Sequence, residues 1–100
     1  MAKRKIVWTD KANIERKEIL EYWINKNKSK TYSIKLNKLL IESLKLISEY
    51  PKIGRQTNEE NTRVSIFRDY LLFYEVNEKE IVVQSIWDGR RDENELISVN

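Results

Sequence analysis

The apolar pattern of this chain predicts an α+β domain: an N-terminal strand, then an α-helical hairpin packed on an antiparallel β-sheet of about four strands. Three observations carry that reading. Apolar residues between Ala12 and Ile47 recur largely at three- and four-residue spacing, which lines one face of a helix. Beyond residue 62 the apolar residues become β-branched and aromatic, in short runs. Pro51 and Gly54 stand between the two regimes; one cannot donate a backbone hydrogen bond and the other permits a turn.

Taken in order, Arg4-Lys-Ile-Val-Trp8 is a short strand-like run, and Thr9-Asp10 after it can accept hydrogen bonds from the free amides of a following helix. From Lys11 to about Asn27 there is no Gly or Pro, and Ala12, Ile19, Leu20, Trp23 and Ile24 gather on one side. Asn25-Lys-Asn-Lys-Ser-Lys30 interrupts the pattern, and Ser29 or Thr31 is placed to cap a second helix running to Tyr50. Its apolar stripe is Leu36, Leu40, Leu44 and Ile47, widened by Leu39, Ile41 and Leu46. So short a link makes the two helices an antiparallel hairpin. Residues 52–61 read as a polar loop. The runs 63–67, 70–76 and 81–87 then form a meander, with turns at Arg68-Asp69 and at Asn77-Glu-Lys-Glu80, and the leading strand pairs somewhere along it.

One hundred residues suit a single domain, 1–100, with one modest core. No apolar run is long enough to cross a bilayer, and the basic Met1–Lys5 is followed only by Ile6-Val7-Trp8, which is no secretory signal. No membrane association is expected. Cysteine is absent, so nothing points to an oxidising compartment and a cytoplasmic location is the expectation. Histidine is absent too, which removes the usual zinc ligands and the side chain best suited to move protons near neutral pH. No cofactor or metal is expected, and any catalysis has to rest on Arg, Lys, Tyr, Asp or Glu.

The formal charge of +3 hides an asymmetry: residues 1–50 carry 12 Lys or Arg against 6 acidic residues, residues 51–100 carry 7 against 10. The basic half suits nucleic acid or an acidic protein, and equally suits lysines that solubilise two helices. Arginine, which binds phosphate bidentately as lysine does not, is concentrated after the hairpin at Arg55, Arg63, Arg68, Arg90 and Arg91. Those residues read either as an anion site or as surface partners of Asp69, Asp88, Asp92 and Glu93, pairs worth ~0–1 kcal/mol each. Tyr70 and Tyr74 point to one side of a strand, read as the core side, and Trp8, Trp23 and Trp87 read as core fillers. With glycine only at 54 and 89, neither a phosphate-cradling loop nor a Gly-flanked serine elbow can be written.

Five segments together carry a resemblance: Trp8-Thr-Asp-Lys-Ala12, Tyr22-Trp-Ile-Asn-Lys-Asn27, Pro51-Lys-Ile-Gly-Arg55, Tyr70-Leu-Leu-Phe-Tyr74 and Trp87-Asp-Gly-Arg-Arg-Asp92. In this order and spacing the chain, over roughly Ile6 to Leu96, resembles the RelE/ParE superfamily of bacterial type II toxin–antitoxin systems, closer to the ParE branch. RelE-like members cut messenger RNA on the ribosome with basic strand residues and an Arg, Tyr or His near the C-terminus. In this chain Arg63 falls at one basic position, Ser65 and Leu71 replace two others, and Glu93 and Ile97 stand where the tail would supply Arg and Tyr. A carboxylate there repels the phosphate that a guanidinium would stabilise.

ParE-like members poison DNA gyrase, and many carry a tail much like Gly89-Arg90-Arg91-Asp92. The resemblance therefore implies a toxin that binds gyrase and is neutralised by a cognate antitoxin protein. Arg55, Arg63, Arg68, Arg90 and Arg91 are the expected target- or antitoxin-binding residues, with Trp87 and Gly89 as structural anchors. The alternatives are a ribosome-dependent endoribonuclease acting on messenger RNA through Arg63, Arg68 and Tyr70, and a non-toxic binding module of the same fold. Both a monomer and a homodimer remain open.

Overall fold

A computed structural model of the chain describes residues 3–89. Strand β1 (Lys5–Trp8) leads into helices α1 (Asp10–Asn27) and α2 (Thr31–Glu49), followed by β2 (Arg55–Gln56), β3 (Thr62–Phe67), β4 (Tyr70–Val76) and β5 (Glu80–Asp88). The strands form one sheet in the order β1-β5-β4-β3-β2. The meander from β3 to β5 is antiparallel as its periodicity predicts. Two features go beyond the sequence reading. β1 runs parallel to β5, in the register Ile6↔Ile81 and Trp8↔Val83. The polar loop also contains the two-residue strand β2, paired with β3 through Arg55↔Val64.

Helix α1 begins where expected, because the Thr9 hydroxyl accepts a hydrogen bond from the Ala12 amide at 3.1 Å. It ends at Lys28, which takes a left-handed conformation (φ 51°) and returns its N–H to the Ile24 carbonyl. The cap of α2 differs from expectation. Lys30 precedes the helix without a side-chain cap, and Ser29 Oγ instead accepts from the Thr31 amide at 3.2 Å.

The core lies between the helical hairpin and one face of the sheet. Leu36, Leu40, Leu44 and Ile47 of α2 meet Phe67, Tyr70, Leu72, Tyr74, Ile81, Val83 and Ile86. Full burial of each aliphatic side chain contributes roughly 1.5–3 kcal/mol. From α1 only Ala12 is fully buried, and Ile19, Leu20 and Trp23 pack at the margin. Ile41 and Leu46 do not widen the core stripe; they are 43% and 46% exposed. At 100° per residue Leu46 lies opposite Asn37 on α2. Asn37 faces α1, where its Oδ1 accepts from both Nε and Nη2 of Arg16 at 3.1 and 2.8 Å. The flank that carries Leu46 has no helix beside it among the described residues.

Strand β1 ends at Trp8, but β5 continues five residues past its partner Val83. The register against β4 also shifts there, Phe73 pairing Ser85 and Tyr74 pairing Val83, so Gln84 is an extra residue on β5. The start of α1 satisfies the exposed edge. The Thr9 amide donates to the Val83 carbonyl at 3.1 Å, and Glu15 Oε1 accepts from the Ile86 amide at 3.1 Å and from Ser85 Oγ at 2.9 Å. A carboxylate on a helix thus substitutes for a missing strand.

At the far end of the sheet a second polar network fixes the loop after α2. The Tyr74 side chain is fully buried. Its hydroxyl donates to the Pro51 carbonyl at 2.8 Å and accepts from the Gly54 amide at 2.9 Å. A Cβ at Gly54 would lie 2.5 Å from that hydroxyl and 2.9 Å from the Val64 carbonyl, so close approach requires glycine. Arg63 Nη1 adds hydrogen bonds to the carbonyls of Gly54 at 2.8 Å and Lys52 at 3.3 Å.

Two measurements probe these networks. Glu15→Ala leaves the Ile86 amide without its acceptor and should lower unfolding free energy by about 1–3 kcal/mol in denaturant titrations; an unchanged midpoint would contradict the edge-cover role. Burial raises the Tyr74 pKa above its ordinary value of 10.0, opposed by the Gly54 N–H and the Arg63 charge. The native state therefore holds this proton more tightly than the unfolded chain. The corresponding stability is complete below about pH 10 and is lost as pH rises through the native pKa. Tyr74→Phe should weaken the fold at neutral pH and flatten its alkaline decline relative to wild type, whereas parallel declines would reject this origin.

Candidate docking surface

Of the arginines singled out in the sequence, the three among the described residues do not form one cluster. Arg63 and Arg68 stand at opposite ends of β3, five residues and so ~17 Å apart. Arg55 lies with Arg63 near the loop held by Tyr74, exposed on edge strand β2. Arg63 is half-buried, and its guanidinium is engaged by loop carbonyls.

Arg68 is presented differently. It occupies the two-residue connection between Phe67 and Tyr70, which pair directly, and it is exposed. So tight a hairpin needs positive φ, and Arg68 supplies it at 55° without being glycine. The end of β5 closes against the same turn: the Gly89 amide donates to the Asp69 carbonyl at 2.6 Å. A Cβ on Gly89 would sit 2.6 Å from that oxygen, so glycine is a steric requirement here. Arg90 and Arg91 lie outside the described residues.

Trp87 is half-buried on the sheet face away from the helices, where it meets Phe73 edge-on at 5.8 Å between ring centres. It therefore anchors to Phe73 rather than to the main core. Tyr70 is 2% exposed and its hydroxyl accepts a hydrogen bond from Trp23 Nε1 at 2.6 Å. The groove beside Tyr70, between α1 and the end of β5, is lined by Glu15, Glu18, Tyr22 and Asp88 as well. Carboxylates on its walls make it a poor cradle for a phosphate backbone.

Sequence reasoning missed Glu15 and Arg16. Besides holding Asn37, Arg16 places its guanidinium 4.9 Å from the centre of the Trp8 ring, tying both helices to β1. Neither role has a local signal, since each depends on partners at least 21 positions away, apart from the Trp8 contact. No helix among the described residues is long and apolar enough to cross a membrane.

Comparison with known proteins places this geometry. Residues 6–93 match the model of the family described as the ParE toxin of type II toxin-antitoxin system, parDE. No curated protein matches the chain. Among solved structures, a chain from the chromosomal ParDE TA system of P. aeruginosa superposes with a TM-score of 0.70 at 18% identity, covering 83% of this chain and 92% of that one. At that identity the likeness is one of fold. The family match covers most of the chain and includes both the Pro51–Arg55 loop and the Gly89 closure, so this chain belongs to the ParE toxin family of type II toxin–antitoxin systems.

Proposed function

We propose that this chain is a cytoplasmic growth-inhibiting toxin that acts by docking on DNA gyrase and is neutralised by a cognate antitoxin. Family membership supports the toxin role. The observation that carries the mode of action is the separation of the residues a nuclease would need. Arg63 is tied to loop carbonyls, Arg68 stands at the other end of β3, and Tyr70 is buried beside an acid-lined groove. Cutting a ribose–phosphate linkage needs a base, an acid and cations within hydrogen-bond reach of one phosphate. Docking needs only a rigid surface with outward charge.

The Arg68 turn meets that need. Its backbone is fixed between paired strands and clasped by Gly89, so its guanidinium is offered at the end of β3–β4. Arg90 and Arg91, expected from the resemblance to take part in target binding, lie outside the described residues. Arg55 and Arg63, at the other end, are left to the fold or to the antitoxin.

Purified protein should inhibit gyrase supercoiling or trap cleaved DNA, and a clean negative alongside growth arrest in cells would reject gyrase as target. Arg68→Gly separates charge from fold, because glycine accepts φ 55° and should hold or raise stability by up to about 1 kcal/mol. It should weaken gyrase inhibition several-fold; full inhibition by a stable variant would remove Arg68 from the interface. Gly89→Ala, which drives a methyl onto the Asp69 carbonyl, should reduce inhibition with every arginine still present.

A further inference from the structure

The flank of α2 turned away from α1 continues into an apolar patch at the end of the sheet remote from Arg68. Leu46 on α2 and Tyr50, the residue that caps its C-terminus, are 46% and 60% exposed, and Ile53 in the following loop is 52% exposed. Beside them a groove of about 640 Å³ runs between the end of α2, Val76 and Arg4.

These are not loose side chains. The loop carrying Ile53 is held by the Tyr74 hydroxyl through Pro51 and Gly54, and by Arg63 through Lys52 and Gly54. Apolar groups fixed in the open lose little entropy when covered, which is how a docking anchor is built. The rim is basic. Glu49 is paired with Lys3 at 3.1 Å, while the Arg4 guanidinium donates to the neutral Asn77 carbonyl and Lys52 is exposed.

We infer that this patch is the docking face for an acidic amphipathic segment of the neutralising antitoxin, with Leu46, Tyr50 and Ile53 as anchors and Arg4 and Lys52 as charge partners. The inference rests on the toxin–antitoxin reading and adds where the partner binds. Charge complementarity decides the occupant. A second copy docked through the same patch would set basic rim against basic rim, whereas an acidic segment neutralises it. The face lies at the opposite end of β3–β4 from the Arg68 turn, so neutralisation and target binding are separable by mutation.

The test uses the protein encoded by the reading frame adjoining this gene as probe, titrated calorimetrically against the purified chain at several salt concentrations. Leu46→Asp and Ile53→Asp, at exposed positions, should keep the wild-type unfolding midpoint and gyrase inhibition while weakening binding at least roughly tenfold. Lys52→Glu should weaken binding and reduce its salt dependence. Tyr74→Phe, which loosens the loop without touching the patch, should weaken it less than either aspartate. Wild-type binding by the aspartate variants overturns the face and leaves the toxin–antitoxin reading standing. Failure of the wild-type chain to bind this probe rejects both. Self-association of the chain alone that Ile53→Asp abolishes assigns the patch to a second copy and overturns the inference.

Discussion

The constraint on which the rest depends is the parallel pairing of the first strand with the last. Because β1 lies against β5, β5 becomes interior, with β1 on one side and β4 on the other. Everything between them must cross the sheet and return, and the hairpin α1–α2 does so over one face, where it closes the core. The pairing is short, and that shortness matters: β1 stops at Trp8 while β5 runs on, so Thr9 and Glu15 take over the edge. The side chain that caps α1 thus sits at the join between helix and sheet. From there β5 extends to Gly89 and the turn that carries Arg68.

Much of this was legible in the sequence, for a physical reason. Helix α2 and strands β3 to β5 bury one face, so their apolar spacing encodes their conformation, and Thr9 is a local cap. What escaped was non-local. Nothing in Lys5–Trp8 states which strand it joins or in which direction. The extra residue at Gln84 leaves no trace, because Ile81, Val83 and Ile86 still read as one apolar run. Leu46 looks like a core residue by spacing, and only the placement of α1 on the Asn37 side shows that its flank is not covered by it. Trp87 packs on Phe73, and simple alternation from Ile81 does not give its face, since a strand residue's face depends on a register that the bulge resets.

The candidate site was legible as a list of residue types and not as a place. Five arginines after the hairpin read either as one anion site or as surface partners of nearby carboxylates. The structure describes three, and separates Arg55 and Arg63 from Arg68 by the length of a strand. Their roles diverge accordingly. Arg63 holds the loop around the buried Tyr74 through the carbonyls of Lys52 and Gly54. Arg68 faces solvent from a turn whose backbone conformation is unusual for its residue type. The groove beside Tyr70, the one tyrosine that the nuclease reading required, is lined by Glu15, Glu18 and Asp88, a charge pattern that disfavours a polyanion.

On the proposed reading, this chain grips another macromolecule and does not cut RNA. Mapping transcript 5′ ends in cells arrested by its expression tests that most directly. The account predicts arrest with no new ends in register with codons. Abundant codon-registered ends, reproduced by the pure protein on translating ribosomes, would contradict it.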